Sequence, residues 1–186
     1  MTLVSKWRYE MFARTLFSIV LVMVLVSCGG GSSSGAGTTG SLQVRLTDAH
    51  TNNVSEVNIA IVSLQAKPAG SPVVQIPVLF NTVDLLTLQN SSALLANAIV
   101  PAGHYEFIMV KLDQGQSGVV EAGQAKPLMI ASEEVKVLGG FDVLENGDTT
   151  VLLDFDAERS LIKQGNGQWQ MKPVILMESV NAVPAI

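Results

Sequence analysis

Hydrophobic and polar residues alternate along most of the chain from Ser41 onward. In SLQVRLTDA, Leu42, Val44 and Leu46 alternate with polar residues, which is the pattern of a strand with one buried face. Further aliphatic and β-branched runs follow, including EVNIAIVSLQA, HYEFIMVKL, EVKVLGGFDVL, TTVLLDFD and WQMKPVILMESV. Short strands at a spacing of roughly 8–12 residues predict an all-β fold, an antiparallel sandwich or barrel. We expect the sandwich, of transthyretin-like or immunoglobulin-like general architecture, as a single domain over residues 42–186.

Sequences rich in Gly, Pro and Asn separate these runs and predict turns. Asn146-Gly147 supplies two residues that adopt positive φ easily, as a tight hairpin turn requires. Gly165-Asn166-Gly167 separates SLIKQ from QWQMKPVIL in the same way, so we expect two β-hairpins in the C-terminal third. Two further turn signals are Pro68-Ala69-Gly70 and Pro101-Ala102-Gly103.

The N-terminal region departs from the alternating pattern. Residues 16–26 are apolar except for Ser18, and this run is too short for the roughly 20 apolar residues that span a bilayer. Lys6, Arg8 and Arg14 precede it. A basic segment followed by a short apolar one is typical of a secretory signal, so we assign residues 1–27 to a signal peptide.

Cys28, the only cysteine, ends this segment after Leu25-Val26-Ser27. The quartet resembles the bacterial lipobox, whose cysteine is acylated by chains such as palmitate and exposed by cleavage. A plain signal peptide or an uncleaved anchor is the alternative. Residues 29–41 contain only Gly, Ser, Thr and Ala, a composition that forms flexible coil, so residues 28–41 are predicted to be a lipidated tether. Two or three acyl chains would hold the protein stably on a membrane.

Lipidation of Cys28 leaves no thiol for a disulfide, a zinc thiolate or a cysteine nucleophile. By resemblance to lipoprotein sorting in Gram-negative bacteria, Gly29 rather than aspartate after the cysteine indicates the outer membrane. We therefore expect a location in the cell envelope, with membrane attachment through the N-terminal lipid.

The mature chain is acidic. The whole chain has 11 basic and 16 acidic residues; without Lys6, Arg8, Arg14 and Glu10 the counts are 8 and 15, a net charge of −7. An acidic surface argues against a nucleic-acid partner, because such partners are bound through basic patches.

Acidic residues in LLDFDAE are the strongest candidates for chemistry. Asp154, Asp156 and Glu158, together with Asp48, supply the hard oxygen ligands that calcium prefers. Alternation, however, places Asp154 and Asp156 on the solvent side of a strand, opposite Phe155, where polar residues are expected anyway. Since EF-hand spacing is absent, we favour solvated or turn-capping acids over a metal site, and no cofactor is predicted.

Catalytic motifs are absent from the sequence. His50 and His104 have no paired spacing and are expected in surface loops. GQSG lacks the spacing of a serine-nucleophile elbow, and no phosphate-binding loop is present. We therefore do not expect an enzyme.

Carbohydrate-binding sandwiches stack sugars on exposed aromatic rings. After signal removal, Trp169 and Tyr105 are the only Trp and Tyr residues. Tyr105 and Phe107 alternate with Glu106, which predicts that both rings are in the core. Trp169 follows a Gly-Asn-Gly turn and could lie at the edge of the domain, although a single ring offers little surface for a sugar.

Five segments resemble a bacterial lipoprotein family, the domain of unknown function 4382. They are LQVRLTDA, VDLLTL, VPAGHYEFIMVKL, VLENGDTTVLLDFDAERSLI and GNGQWQMKPVI. The resemblance implies an envelope lipoprotein with a sandwich-like β domain and transfers no catalytic or binding residues. PAGHY is also similar to an element of transthyretin-like and carboxypeptidase-regulatory-like domains, which are often accessory or adhesive modules.

These observations together predict a lipid-anchored, non-enzymatic envelope protein. Its domain would act as an interaction or structural module for an envelope protein or polysaccharide. The alternative is a carbohydrate- or calcium-dependent ligand-binding sandwich. A flat apolar patch would favour a protein partner, whereas exposed aromatic rings around one loop end would favour a sugar.

Overall fold

Strands dominate the computed structural model, which describes residues 37–48 and 54–185. A 3-10 turn, Leu85–Leu88, and a single helical turn, α1 (Ala157–Ser160), interrupt them. The strands are β1 (Thr39–Asp48), β2 (Glu56–Pro68), β3 (Val74–Ile76), β4 (Thr82–Asp84), β5 (Ala93–Pro101), β6 (Gly103–Glu121), β7 (Gln124–Ile130), β8 (Glu134–Val143), β9 (Asp148–Phe155), β10 (Leu161–Lys163), β11 (Trp169–Met171) and β12 (Ile175–Val183). The all-β prediction is confirmed.

Four sequence predictions fall wholly or mostly outside the described residues. The signal peptide and Cys28 lie there, as does most of the tether. His50 lies there as well. β1 begins at Thr39, three residues before the predicted domain boundary. In the described part of the chain, no helix is long and apolar enough to cross a membrane.

A four-stranded sheet forms one layer, in the order β12-β9-β1-β5. β1 pairs in parallel with β9, with Val44 opposite Val151, whereas its pairing with β5 and that of β12 with β9 are antiparallel. Leu42, Val44 and Leu46 are at most 1% exposed, as the period-two pattern of β1 predicted. This face of the sheet therefore forms one wall of the core.

A larger sheet forms the second layer, in the order β10-β11-β7-β6-β2-β3, with β4 also on β2 and β8 also on β6. β2 pairs with β6 along most of its length, while β8 and β7 share the opposite edge of β6. β7 and β11 are parallel. Both sheets are thus mixed, whereas the sequence predicted an antiparallel sandwich. The parallel pairs were missed because hydrophobic alternation reports which face of a strand is buried and not the direction of its neighbour.

Tyr105 anchors the core between the layers. Its ring is fully buried and stacks on Phe141 with ring centroids 5.1 Å apart. The hydroxyl donates to the carbonyl oxygen of Pro101 at 2.8 Å, which satisfies the buried polar group. Burial raises the pKa of the Tyr105 hydroxyl.

The predicted hairpin at Asn146-Gly147 is wrong. β8 pairs with β6 in the large sheet, and β9 pairs with β1 and β12 in the small one, so the turn crosses between layers. Asn146 has positive φ, at 52°, but Gly147 does not. The backbone of this turn instead bonds to β1, where the amide of Asn146 donates to Thr39 and that of Ser41 donates to Gly147.

The second hairpin is confirmed. β10 and β11 pair antiparallel, with Lys163 opposite Trp169. Gly167 has a φ of 82°, a region that favours glycine, and its amide donates to the carbonyl of Gln164 at 2.9 Å. The glycine-rich sequence here therefore has the role that the pattern predicted.

Gly147 is required for close approach rather than for its φ angle. A Cβ at this position would lie 2.7 Å from the carbonyl oxygen of Val183 and 2.9 Å from the Cβ of Leu144. We predict that Gly147→Ala destabilises the domain by about 1–3 kcal/mol, because backbone atoms must move to admit the methyl group. Chemical denaturation measures this change.

Gly165→Ala is the matched control, since a Cβ there meets nothing within 4 Å and the φ of Gly165 is not positive. It should alter stability by less than about 0.5 kcal/mol. Equal stability of the two variants would show that β12 does not approach Gly147 this closely.

Candidate functional site

Asp48, the first predicted acid, is bound to backbone rather than placed in solvent. It ends β1 and is 6% exposed. Its Oδ1 accepts a hydrogen bond from the amide of Ala157 at 2.9 Å. Because Asp48 pairs with Phe155 in the parallel ladder, the end of β1 lies beside the start of α1. The buried carboxylate therefore accepts a hydrogen bond from an amide in the first turn of α1, which has no carbonyl partner within the helix.

Asp156 caps α1 from within the chain. Its Oδ1 accepts from the amide of Arg159 at 2.9 Å, and its Oδ2 lies 2.6 Å from Nε of the same arginine. The hydroxyl of Ser160 donates a hydrogen bond to the carbonyl oxygen of Asp156. This is the turn-capping arrangement favoured from the sequence. Glu158 is exposed in the same turn.

Asp154 lies half-buried on the outer side of β9, next to these capping residues. Burial raises its pKa, and the nearby carboxylates of Asp156 and Glu178 raise it further, while Arg159 opposes them. Across residues 37–48 and 54–185, no group of three or more His, Cys, Asp or Glu side chains is placed to hold a metal ion. The acidic cluster is arranged around the backbone of α1.

His104 is exposed, as expected, although it is the second residue of strand β6 and does not lie in a loop. Its Nδ1 lies 2.9 Å from Oδ1 of Asp142 on the adjacent strand. The imidazole ring lies against Gly140, where a Cβ would be 2.9 Å from Cε1. The glycine therefore makes room for the ring.

The aromatic residues do not form a sugar-stacking surface of the predicted kind. Trp169 is 3% exposed, so its predicted position at the edge of the domain is wrong. Trp169 faces inward because it stands opposite Leu128, a buried residue of β7. Tyr105 is in the core, as expected, and Phe107 is half-buried.

A β-bulge moves Phe107 out of the core. Between Tyr105 and Phe107 the register of β6 shifts, so that Tyr105 pairs with Phe141 but Phe107 pairs with Leu138. Gly139, at a φ of 148°, lies in the extra length of β8. Against β2, the single step from Pro68 to Lys67 spans two residues of β6, from Tyr105 to Phe107, so β6 also has one extra residue here. An extra residue moves the following side chains to the opposite face, so Ile108 points inward and Phe107 outward.

The bulge creates a surface that the sequence did not predict, the outer side of the three central strands. In register across β2, β6 and β8, Lys67, Phe107 and Leu138 form one row. A second row follows two residues further along. We call the two rows the β6 face; its members are Gln65, Lys67, Phe107, Met109, Lys136 and Leu138.

The β6 face combines apolar and cationic side chains. Leu138 is 70% exposed, and Phe107 and Met109 are half-buried. Nζ of Lys136 lies 3.9 Å from the centroid of the Phe107 ring, a cation–π contact. Within the described part of the chain, neither Lys67 nor Lys136 makes an ion pair. The face therefore offers an apolar centre and two lysines without carboxylate partners.

A family model covers this region. Residues 39–173 match a domain of unknown function, DUF4382. The chain belongs to this family. The match begins at the first residue of β1 and ends before β12. It therefore contains the whole large sheet and three of the four strands of the small sheet. No curated protein and no solved structure matches the chain.

Membership in DUF4382 indicates no enzymatic family and assigns no functional residues. The functional argument therefore rests on the surface of this chain: the β6 face, the His104–Asp142 pair and the capped acidic cluster. Leu138 and Met109 carried no sequence signal of their own. The Gly139-Gly140 pair in EVKVLGGFDVL was the one visible sign of a bulge.

Asp154 gives a test of the acidic cluster by pH. A carboxyl whose pKa is raised on folding contributes stability that is present below its ordinary value of 3.8 and is lost as the pH rises through the raised pKa. We predict that Asp154→Asn has a higher Tm than the unmodified protein at pH 7, and that the difference shrinks as the pH falls towards about 3. Glu158→Gln is the control, because it removes one acidic charge from the exposed part of the same turn and leaves Asp154 in place. A Tm difference independent of pH would contradict the assignment.

Calcium provides a second test of the same residues. Since Asp48 and Asp156 already accept backbone hydrogen bonds around α1, we expect calcium to leave the Tm unchanged relative to an equal ionic strength of sodium chloride. A native-only ligand at roughly one hundred times its Kd would stabilise by about 2.7 kcal/mol, an increase of several degrees in Tm. Such an increase, abolished in Asp156→Asn, would overturn this expectation.

Proposed function

We propose that this protein is a lipid-anchored cell-envelope protein whose β-sandwich is a non-enzymatic interaction module, and that it contacts a partner protein through the β6 face. The observation that carries the second part is the exposure of Leu138 beside the half-buried Phe107 and Met109 on the outer side of the large sheet. Contiguous exposed apolar groups on a soluble domain mark interaction sites more often than isolated ones do.

The composition of the β6 face fits a protein interface. Phenylalanine and methionine are enriched in interface centres, and acidic residues are depleted there. Lys67 and Lys136 lie beside this centre, and their charges would meet acidic groups of a partner without loss of an existing ion pair. None of the six residues of the β6 face lines either of the clefts found in the described part of the chain, which favours a protein over a small ligand.

A polysaccharide partner has less support. Trp169 and Tyr105 are buried, which removes both rings that could stack on a sugar. Phe107, the aromatic ring of the β6 face, is half-buried, and Nζ of Lys136 lies over it. A protein partner therefore remains the better proposal.

The lipid anchor is proposed from the Leu25-Val26-Ser27-Cys28 quartet and the Gly/Ser-rich residues after it. Acyl chains contribute about 0.8 kcal/mol per buried methylene, so two or three chains keep a protein on a bilayer. By the sorting resemblance of Gly29, that bilayer is the outer membrane. The tether would leave the domain free to meet a partner near the membrane.

Removal of the acylated thiol tests the anchor. We predict that Cys28→Ala accumulates as an unprocessed precursor or leaves the membrane fraction, and that it takes up no labelled fatty acid. Metabolic labelling with an alkyne palmitate measures this in cells. A wild-type protein that takes up no label would exclude lipidation.

Site-specific photo-crosslinking tests the β6 face in the full-length protein. A photoreactive amino acid at Met109 is expected to give a discrete adduct in intact cells, and Leu138→Asp in the same chain should reduce its yield about tenfold, an interaction loss of about 1.4 kcal/mol. Ile99→Asp is the matched control, because Ile99 is 71% exposed and Leu138 70%, on different sheets. Equal loss of the adduct in both variants would refute a role for the β6 face.

A further inference from the structure

β12 is an edge strand of the small sheet. It pairs with β9 on one side, and on its other side none of the described residues forms a ladder with it. The register with β9 shifts between Met177 and Ser179, and from Ser179 to Val183 the ladder runs without a further shift. An unpaired strand edge presents amide and carbonyl groups that can pair with another strand.

Val180 and Ala182 face the core side of the small sheet and are nevertheless exposed. Opposite them on β9 are Val151 and Thr149, both fully buried. Directly opposite residues of an antiparallel pair lie on the same face, so Val180 and Ala182 point inward. Val180 is 40% exposed, whereas Ile175, at the start of the same strand, is 6% exposed. The inner face of the small sheet is therefore incompletely covered along the second half of β12.

Other edge strands of the two sheets carry protection that β12 lacks. Proteins protect strand edges with lysine, proline, short strands or a covering segment. β10 contains Lys163, β8 contains Lys136, and β3 and β4 have three residues each. The edge of β5 is partly covered, because the amide of Leu79 donates to the carbonyl of Leu95. β12 contains no lysine, arginine or proline.

The charge at this edge is acidic. Glu178, the charged residue of β12, is exposed and makes no ion pair within the described part of the chain. It is also one of the carboxylates that, after burial, raise the pKa of Asp154 on the adjacent strand. A basic residue in an incoming strand would reduce this like-charge repulsion. A second acidic edge, such as that of another copy of this chain, would add to it.

We infer that the free edge of β12 binds an extended segment of a partner protein, in which apolar residues alternate with polar ones and a basic residue lies near Glu178. The segment would pair with Ser179–Val183 as an additional strand of the small sheet, so that main-chain hydrogen bonds hold it. Its inward side chains would cover Val180 and Ala182. The β6 face lies on the other sheet, so this inference goes beyond the proposed function and does not depend on it.

A synthetic peptide tests strand addition on the full-length, unmodified protein. In the probe, valine alternates with threonine and a lysine stands at each end. Alternate amides of a strand point to opposite edges, so N-methylation of the valines blocks one edge of the peptide and N-methylation of the threonines blocks the other. One methylated peptide should bind about tenfold more weakly than the other by fluorescence anisotropy. Equal affinities of the two methylated peptides, or no binding of the unmethylated probe, would overturn strand addition.

Photo-crosslinking tests the position of the bound peptide. A photoreactive amino acid at Asn181 of the full-length protein should form an adduct with the probe. Asn97 is the matched control, because it is also exposed and lies in the same row of the sheet, on the opposite edge strand β5. Substitution there should give no adduct. Equal adducts at the two positions, or an adduct at Asn97 alone, would refute the site.

Two lysine variants on the same strand test the contact with the inner face. Val180→Lys should weaken binding of the probe about tenfold, because an inward-pointing charge protects a strand edge. Val183→Lys is the control: Val183 is 50% exposed, but it pairs with the exposed Asp148 and points outward. It adds the same charge and should leave the affinity nearly unchanged. Equal losses in the two variants would refute a contact with the inner face.

Charge and self-association are tested with the same materials. The lysine-ended probe should bind more tightly than a glutamate-ended one, and Glu178→Gln should remove most of this preference. An unchanged preference in Glu178→Gln would overturn the basic character of the partner. A dimer of the full-length protein that Val180→Lys dissociates would assign the edge to a second copy and overturn the partner segment. Leu138→Asp, which tests the β6 face, should leave binding of the probe unchanged.

Discussion

The ladder between β2 and β6 is the interaction on which the rest of the large sheet depends. β6 is the longest strand among the described residues, and β2 pairs with it from Glu56–Val120 to Pro68–Tyr105. Its other edge is shared end to end by β8 and β7, and β11 extends the sheet in parallel from β7. Because one strand carries three partners, any change in its register is transmitted to both sides of the sheet.

Register changes along β6 explain where the β6 face lies. The shift after Tyr105 keeps that ring in the core and places Phe107 outside. Gly139 lies in the extra length of β8 opposite this shift, and Gly140 leaves space for His104. The same short region of β6 and β8 therefore forms the beginning of the β6 face.

The charged residues divide into those that bond within the fold as ion pairs or backbone acceptors and those whose charge faces outward. Asp48 and Asp156 accept hydrogen bonds from amides of α1, and Glu121 is held by Lys126 and Lys163, which lower the pKa of its carboxyl to about 2. Lys67 and Lys136 make no ion pair with the described residues; Lys67 donates to the carbonyl oxygen of Ser71, and Lys136 lies over the ring of Phe107. Two of the acids that looked most like a ligand set, Asp48 and Asp156, are therefore bound to backbone.

The sequence by itself determined the strand-rich fold, most strand positions and the Gly165–Gly167 hairpin, because these follow from local periodicity and turn chemistry. Only the tertiary structure decided the parallel pairing of β1 with β9, the crossing turn at Asn146, the burial of Trp169 and the outward position of Phe107. Each of these depends on which distant strand is adjacent. A period of two specifies that one face is buried, but the identity of the neighbour and a one-residue bulge are set by packing between segments far apart in the chain.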